Sequence, residues 1–236
     1  MVDGKEVPRT PLLLLFHKPK WVLSVMRDPK DRPNLSQLLP EKYVRQGLHP
    51  VGRLDYDSSG LLLFSSSGPL TQRLLHPSHE ISKEYVATVE GLVNPEELHS
   101  LLEGGVETAE GVHTANLVNV KHLKPHDAKA ILKHMRDNLP KEYNTDDLEE
   151  RGYLKKDIME MSEVSLVVSE GKHRMVRRML ANCGHPVVEL KREKHGEVRL
   201  GDLPEGEFRD LTEEELEWVM TVMPPRSKKG KNRKSE

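Results

Sequence analysis

Two short runs of large apolar residues, LLLLF at 12–16 and LLLF at 61–64, most constrain how this chain can fold. Each has the length of a buried strand, and the first is stopped by Lys18-Pro19. Neither approaches the roughly 20 consecutive apolar residues that a membrane-spanning helix needs. Further strands are predicted at 84–90, where Tyr85, Ala87 and Val89 fall on one side, and at 164–168 and 186–190. Helices are predicted at 69–75, with Pro at the first turn, and at 95–102, capped by Asn94. Two more are predicted at 172–182, with Met175, Met179 and Leu180 on its apolar side and Gly184 ending it, and at 213–220, opened by a Thr212 capping box. Residues 27–40 read as loop with a helical turn at 35–39. Strands and helices mix without a strict βαβ alternation, which predicts an α+β fold.

The length of 236 residues fits one large domain or two small ones. The organisation expected is a disordered N-terminus over 1–10, one domain over 11–223 and a basic disordered tail over 224–236. Within the domain, 121–160 is dense in Lys, His, Asp and Glu and poor in apolar anchors. It reads as a charged surface insertion holding one helix, at 128–138. Lys and Arg number 36 against 38 Asp and Glu, a formal net charge of −2, which excludes a uniformly basic nucleic-acid coat. The basic charge is concentrated instead: residues 226–236 carry six basic and one acidic side chain. Aromatic residues are 4% of the chain, too few for a base-stacking sheet. The single cysteine, Cys183, permits neither an intrachain disulfide nor a cysteine zinc cluster and fits a reducing compartment. The first ten residues resemble neither a signal nor a transit peptide. The expected location is intracellular, cytoplasmic or an organellar matrix, with no membrane association. Twelve histidines are present, none at a recognisable ligand spacing, so no metal site is expected.

Three constellations carry chemistry. The first is Gly52-Arg-Leu-Asp-Tyr-Asp-Ser-Ser-Gly60, which sets two carboxylates, Asp55 and Asp57, on a tight turn before a buried strand. It can be read as a solvated loop or as a calcium loop that lacks the Glu at its twelfth place. It can also be read as an aspartyl phosphotransferase site, or as a nucleophilic Asp55 held by a nearby arginine. The second is Ser169-Glu-Gly-Lys-His-Arg-Met-Val-Arg-Arg-Met179, with Arg174, Arg177 and Arg178 on one broad helix face suited to phosphate. An arginine from it aimed at Asp55 would keep that carboxylate ionised. The third is Lys83-Glu-Tyr85, a lysine and a tyrosine on one strand face.

Together these motifs resemble the RNA pseudouridine synthases of the RsuA type, the ribosomal-RNA branch. The resemblance extends in order through Gly184-His-Pro-Val, Leu190-Lys-Arg192 and Gly206-Glu-Phe-Arg209, and back to Lys18-Pro19 and Arg32-Pro33-Asn-Leu35. It covers about residues 11–220, the insertion apart. The match is nearest to the branch without a small N-terminal RNA-binding domain, which modifies large-subunit ribosomal RNA. Met175 stands where that family usually has Gln.

The resemblance implies a central mixed, mainly antiparallel sheet flanked by helices. It implies isomerisation of uridine to pseudouridine in RNA, without cofactor, by a monomer. Asp55 would be the catalytic carboxylate, adding to the sugar or removing its 2′-proton. Arg177, or failing it Arg178, would partner Asp55. Tyr85 would pack on the base, with Lys83 beside it. Arg53 would reach the RNA backbone or fill the space left by a flipped base, and Lys172, Arg174 and Arg178 would bind RNA. Asp57, Ser58 and Ser59 would form the turn that aims Asp55. The basic tail reads as an RNA-contacting arm or a solubilising one. A different class of function on the same scaffold is a catalytically silent RNA-binding or ribosome-assembly factor.

Overall fold

A computed structural model describes residues 13–140 and 160–223. The expected N-terminal segment, the basic tail and the stretch 141–159 lie outside the described residues. The strands are β1 (Leu13–Lys18), β2 (His49–Pro50), β3 (Ser59–Ser65), β4 (Lys83–Glu90), β5 (Val106–Thr108), β6 (Gly111–His113), β7 (Asn116–His122), β8 (Met161–Val168), β9 (Val187–His195), β10 (Val198–Arg199) and β11 (Phe208–Asp210). The helices are α1 (Leu35–Leu38), α2 (Glu41–Arg45), α3 (Gly68–Leu75), α4 (Pro95–Gly104), α5 (Pro125–Asp137), α6 (Met175–Asn182) and α7 (Glu213–Val222). Among the described residues a nine-stranded sheet runs β11-β1-β3-β9-β4-β8-β7, with β2 added to β3 and β10 to β9; β5 and β6 form a separate hairpin. Among the described residues β3 and β9 pair in parallel and the other paired strands are antiparallel.

The leucine runs are continuous because β1 and β3 are covered on both faces. Leu14, Phe16, Leu62 and Phe64 join the main core, to which α1, α4 and α6 also contribute, while Leu13, Leu15, Leu61 and Leu63 pack with Leu70, Leu74 and Val219 of α3 and α7. Each such side chain contributes about 1.5–3 kcal/mol by leaving water. The caps predicted from sequence form. Asn94 accepts from the amides of Glu96 and Glu97, and Thr212 and Glu215 close a reciprocal box at the start of α7.

The charged segment beginning at Lys121 has more anchoring than its composition suggests. Its first two residues belong to β7, and α5 buries Ala128, Leu132 and Met135 against Met161 and Val188. Three apolar residues at helical spacing are enough to dock one face of an otherwise polar helix.

The helix expected over 172–182 begins only at Met175. Arg174 is its N-cap with φ 51°, in the left-handed region, so Lys172 and His173 belong to the preceding loop. An arginine in this conformation costs about 1–2 kcal/mol of backbone strain, which its contacts offset.

Candidate active site

The Asp55 turn joins β2 to β3 and is held from behind by β1. Ser58 N–H donates to the Asp55 carbonyl at 3.1 Å and closes the turn. Lys18, at the end of β1 and fully buried, donates from Nζ to three carbonyls: Ser58 at 2.8 Å, Pro19 at 2.9 Å and Asp55 at 3.2 Å. Burial lowers the Lys18 ammonium to about 7, against the opposing pull of Asp57 and Asp55. Ser24 fixes the residue before the aspartate, its hydroxyl donating to the Leu54 carbonyl at 2.7 Å and accepting from the Leu54 amide at 3.1 Å.

From the front the turn is clamped through Asp57. Arg174 binds the Asp57 carboxylate with two parallel hydrogen bonds, Nη1 to Oδ1 at 2.9 Å and Nη2 to Oδ2 at 3.1 Å. Arg177 is buried behind it. Its Nη2 donates to the Asp57 carbonyl at 3.0 Å and the Ser58 hydroxyl at 3.2 Å, and lies 3.4 Å from Asp57 Oδ2; its Nη1 donates to the Val187 carbonyl at 3.2 Å. Burial pushes the Asp57 carboxyl up, but the Arg177 charge and the Arg174 hydrogen bonds outweigh it and hold the group below its ordinary value.

This corrects the sequence expectation that Arg177 or Arg178 pairs with Asp55. Arg177 reaches Asp57 because it lies on the first turn of α6, facing the far side of the loop. Asp57 is therefore more than a turn former, since it ties the loop to α6. Arg178 points elsewhere: it pairs with Glu110 at the tip of the β5–β6 hairpin at 2.8 Å. The Asp55 carboxylate is half-buried and forms no hydrogen bond or ion pair with any described residue.

That carboxylate lines a cleft of about 250 Å³, room for one pyrimidine nucleotide. Of the residues singled out from sequence, Arg53, Asp55, Lys83, Tyr85, Lys172 and Arg174 line it, and Arg177 and Arg178 do not. Tyr85 is buried in its wall on β4, two residues from Lys83, as the strand alternation requires. Lys83 Nζ donates to the Ile81 carbonyl at 2.8 Å; burial, with the Arg192 charge added, lowers it to about 8. Arg53 is exposed at the lip. Lys172, also exposed, donates to the Glu110 carbonyl at 3.2 Å, so the hairpin tip adjoins the opening.

Three contributors have no role in the sequence reading: Lys18, Ser24 and Arg192. Lys18 and Arg192 stood in recognised motifs, but only the strand register shows what they touch. Arg192 on β9 sits opposite Tyr85 on β4 and Gly60 on β3. Among the described residues no group of three or more His, Cys, Asp or Glu side chains is arranged to hold a metal ion.

The arrangement presents a free carboxylate on a locked turn, beside an aromatic ring, in an electropositive cleft of nucleotide size. Comparison with known proteins agrees with that chemistry. The sequence profile of the RNA pseudouridylate synthases matches residues 12–182. Ribosomal large subunit pseudouridine synthase B of Bacillus subtilis (strain 168) is 36% identical over 216 residues, 91% of this chain and 74% of the relative. Ribosomal small subunit pseudouridine synthase A of Escherichia coli (strain K12) is 32% identical over 221 residues, 92% of this chain and 79% of the relative. A crystal structure of a pseudouridylate synthase superposes with a TM-score of 0.62 at 26% identity, covering 88% of this chain and 73% of the other. The chain belongs to the RNA pseudouridylate synthase family and is by class an isomerase.

Proposed function

We propose that the protein converts one uridine of large-subunit ribosomal RNA to pseudouridine, with Asp55 as the carboxylate that acts on the sugar. The observation that carries this is the Asp55 turn: its backbone is fixed on every side while its carboxylate is left unpaired in the cleft. The large-subunit assignment is supported by the 36% identity to the B. subtilis large-subunit enzyme against 32% to the E. coli small-subunit enzyme.

The target nucleotide leaves the helical stack, at a cost of a few kcal/mol, and enters the cleft. The C1′–N1 bond breaks, the base turns, and C5 bonds to C1′. One proton leaves C5 and one is taken up at N1. No electron or group donor enters the balance, so the reaction needs no cofactor. Asp55 adds to C1′ or removes the 2′-proton; both roles need it ionised and unobstructed. Tyr85 packs on the base and assists loss of the C5 proton, and Lys83 lies beside it. Arg53 and Lys172 at the lip contact the RNA backbone, where basic side chains supply most of the affinity. Arg174 and Arg177 act through Asp57, holding the turn. The enzyme works as a monomer in the compartment where ribosomal RNA is made, cytoplasm or organellar matrix, and the basic tail adds RNA contacts.

The test uses unmodified transcripts of large- and small-subunit ribosomal RNA carrying tritium at uridine C5. Wild type should release tritium from the large-subunit transcript at one site, located by carbodiimide labelling and primer extension, and Asp55→Asn should release none while melting normally. Release from the small-subunit transcript alone would refute the subunit assignment, and turnover by Asp55→Asn would refute the role of Asp55. Tight binding of RNA by both proteins without any release would establish a silent binding factor instead.

A further inference from the structure

Arg192 is 3% exposed, yet its only hydrogen bond among the described residues is from Nε to the Leu61 carbonyl at 2.7 Å. Its Nη2 is buried with no acceptor, and no described carboxylate oxygen lies within 4 Å of its guanidinium. Such a group is costly. A buried donor left unsatisfied loses its hydration with nothing in return, the more so when charged, and arginine cannot shed its proton to escape. Burial lowers both Lys83 and His195 beside it, and the Arg192 charge adds to each shift.

The backbone fixes where this charge sits. Arg192 pairs across the sheet with Tyr85, so both side chains stand on one face, and both line the cleft with Asp55. On its other side β3 presses against it. A Cβ on Gly60 would lie 2.3 Å from the Arg192 carbonyl oxygen and 2.5 Å from its nitrogen, so only glycine permits the approach. The Nε bond to Leu61 anchors one edge of the guanidinium, and the residue lines the cleft. Asp55 lines the same cleft without pairing to it.

Resting on the proposed reaction, we propose that Arg192 is a catalytic residue, its guanidinium donating to a carbonyl oxygen of the target uracil. When the C1′–N1 bond breaks, its electron pair stays with the base and the negative charge spreads onto O2 and O4. A fixed cation at one of these oxygens stabilises that charge more than it stabilises the neutral uridine. When C5 bonds to C1′ the pair returns to the new bond, the C5 proton leaves, and N1 takes a proton.

The test is single-turnover kinetics on whichever RNA the wild type modifies, with Asp55→Asn as the zero. Arg192→Gln should lower kcat by about 10²–10³ with KM for the RNA nearly unchanged, and Arg192→Lys should recover at least about tenfold of that loss. A second arm places 2-thiouridine or 4-thiouridine at the target, since sulfur is a poor acceptor. One of the two should slow the wild type at least about tenfold but cost Arg192→Gln little more, the signature of a shared interaction. A Gln variant within about threefold of wild type, or losses that add on the thio substrate, would overturn the assignment. If the Gln variant does not fold, wild type indifferent to both thio substrates would overturn it alone. Activity on a non-ribosomal RNA would sink the ribosomal reading and leave this comparison intact. Activity of Asp55→Asn would sink the role of Asp55 while the Arg192 ratios still stand. A wild type that modifies no RNA removes both.

Discussion

Replacing Asp57 by Asn tests whether the clamp on the active-site turn is a source of stability as well as of geometry. The Asp57 side chain is 11% exposed and meets Arg174 at 2.9 and 3.1 Å and Arg177 at 3.4 Å. Removing the charge leaves two guanidiniums facing a neutral amide, and breaking a buried pair from one side costs about 3–5 kcal/mol. For a chain of this size a kcal/mol moves the melting temperature by about 2–4 °C, so the variant should melt roughly 6–20 °C lower. The effect has a pH signature. The folded Asp57 carboxyl is held below its ordinary value, so its contribution is complete above the unfolded value and is lost as pH falls through the folded one. The gap between wild type and Asp57→Asn should therefore be widest near pH 7 and close as the solution is taken below about pH 4. Urea titrations at a series of pH values, read by circular dichroism with the slope held common, measure it. A double-mutant cycle with Arg174→Gln should show the two losses to be strongly non-additive. A gap of less than about 1 kcal/mol at neutral pH would refute the reasoning, because it would mean the pair is no better than a surface salt bridge.

Other outcomes follow from the same structure. Asp55→Asn should abolish tritium release yet leave stability within about 0.5 kcal/mol, since its side chain forms no hydrogen bond or ion pair with any described residue. Lys18 has a folded value of about 7 against 10.5 unfolded, so between those limits the unfolded chain holds more of its proton and this group makes stability rise with pH. Lys18→Met should remove up to about 1.4 kcal/mol per pH unit of that slope, and equal slopes from pH 7.5 to 9.5 in urea titrations would refute it. Gly60→Ala places a methyl against the Arg192 backbone at φ +109°, and should cost at least about 3 kcal/mol or prevent folding, measured by soluble yield and melting. Arg178→Ala breaks the half-exposed pair with Glu110 and a 3.4 Å contact with His173 Nδ1, so kcat should change by less than about threefold.

Much of the fold was legible because its signals are local. The leucine runs, the period of two in β4, the Pro and Asn at the start of α4 and the Thr212 box each act within a few residues. The short strands β2, β5, β6, β10 and β11 escaped notice because two or three residues carry no periodicity; they exist through their partners. Helix α6 was placed one turn too early because Lys172 and His173 suit a helix, and the left-handed Arg174 is set by its reach to Asp57 rather than by propensity. The helix at 125–137 was recognised nearly in place but not its docking, since its three buried residues meet partners on β8 and β9 far away in sequence.

The sequence by itself determined the chemical repertoire: a carboxylate-rich turn before a buried strand, a lysine and tyrosine alternating on another strand, and a basic segment leading into a packed helix. Its motif order determined the family. Tertiary structure alone decided which charges meet. Asp57, not Asp55, received the arginines, Lys18 took up the carbonyls of the turn, and Arg192, in the cleft wall, was left with a buried donor unpaired. Those outcomes depend on strand register and on the angle at which α6 meets the sheet. Charge pairing is settled over a few ångströms in space, and residues separated by more than a hundred positions carry no local signal of which partner they will reach.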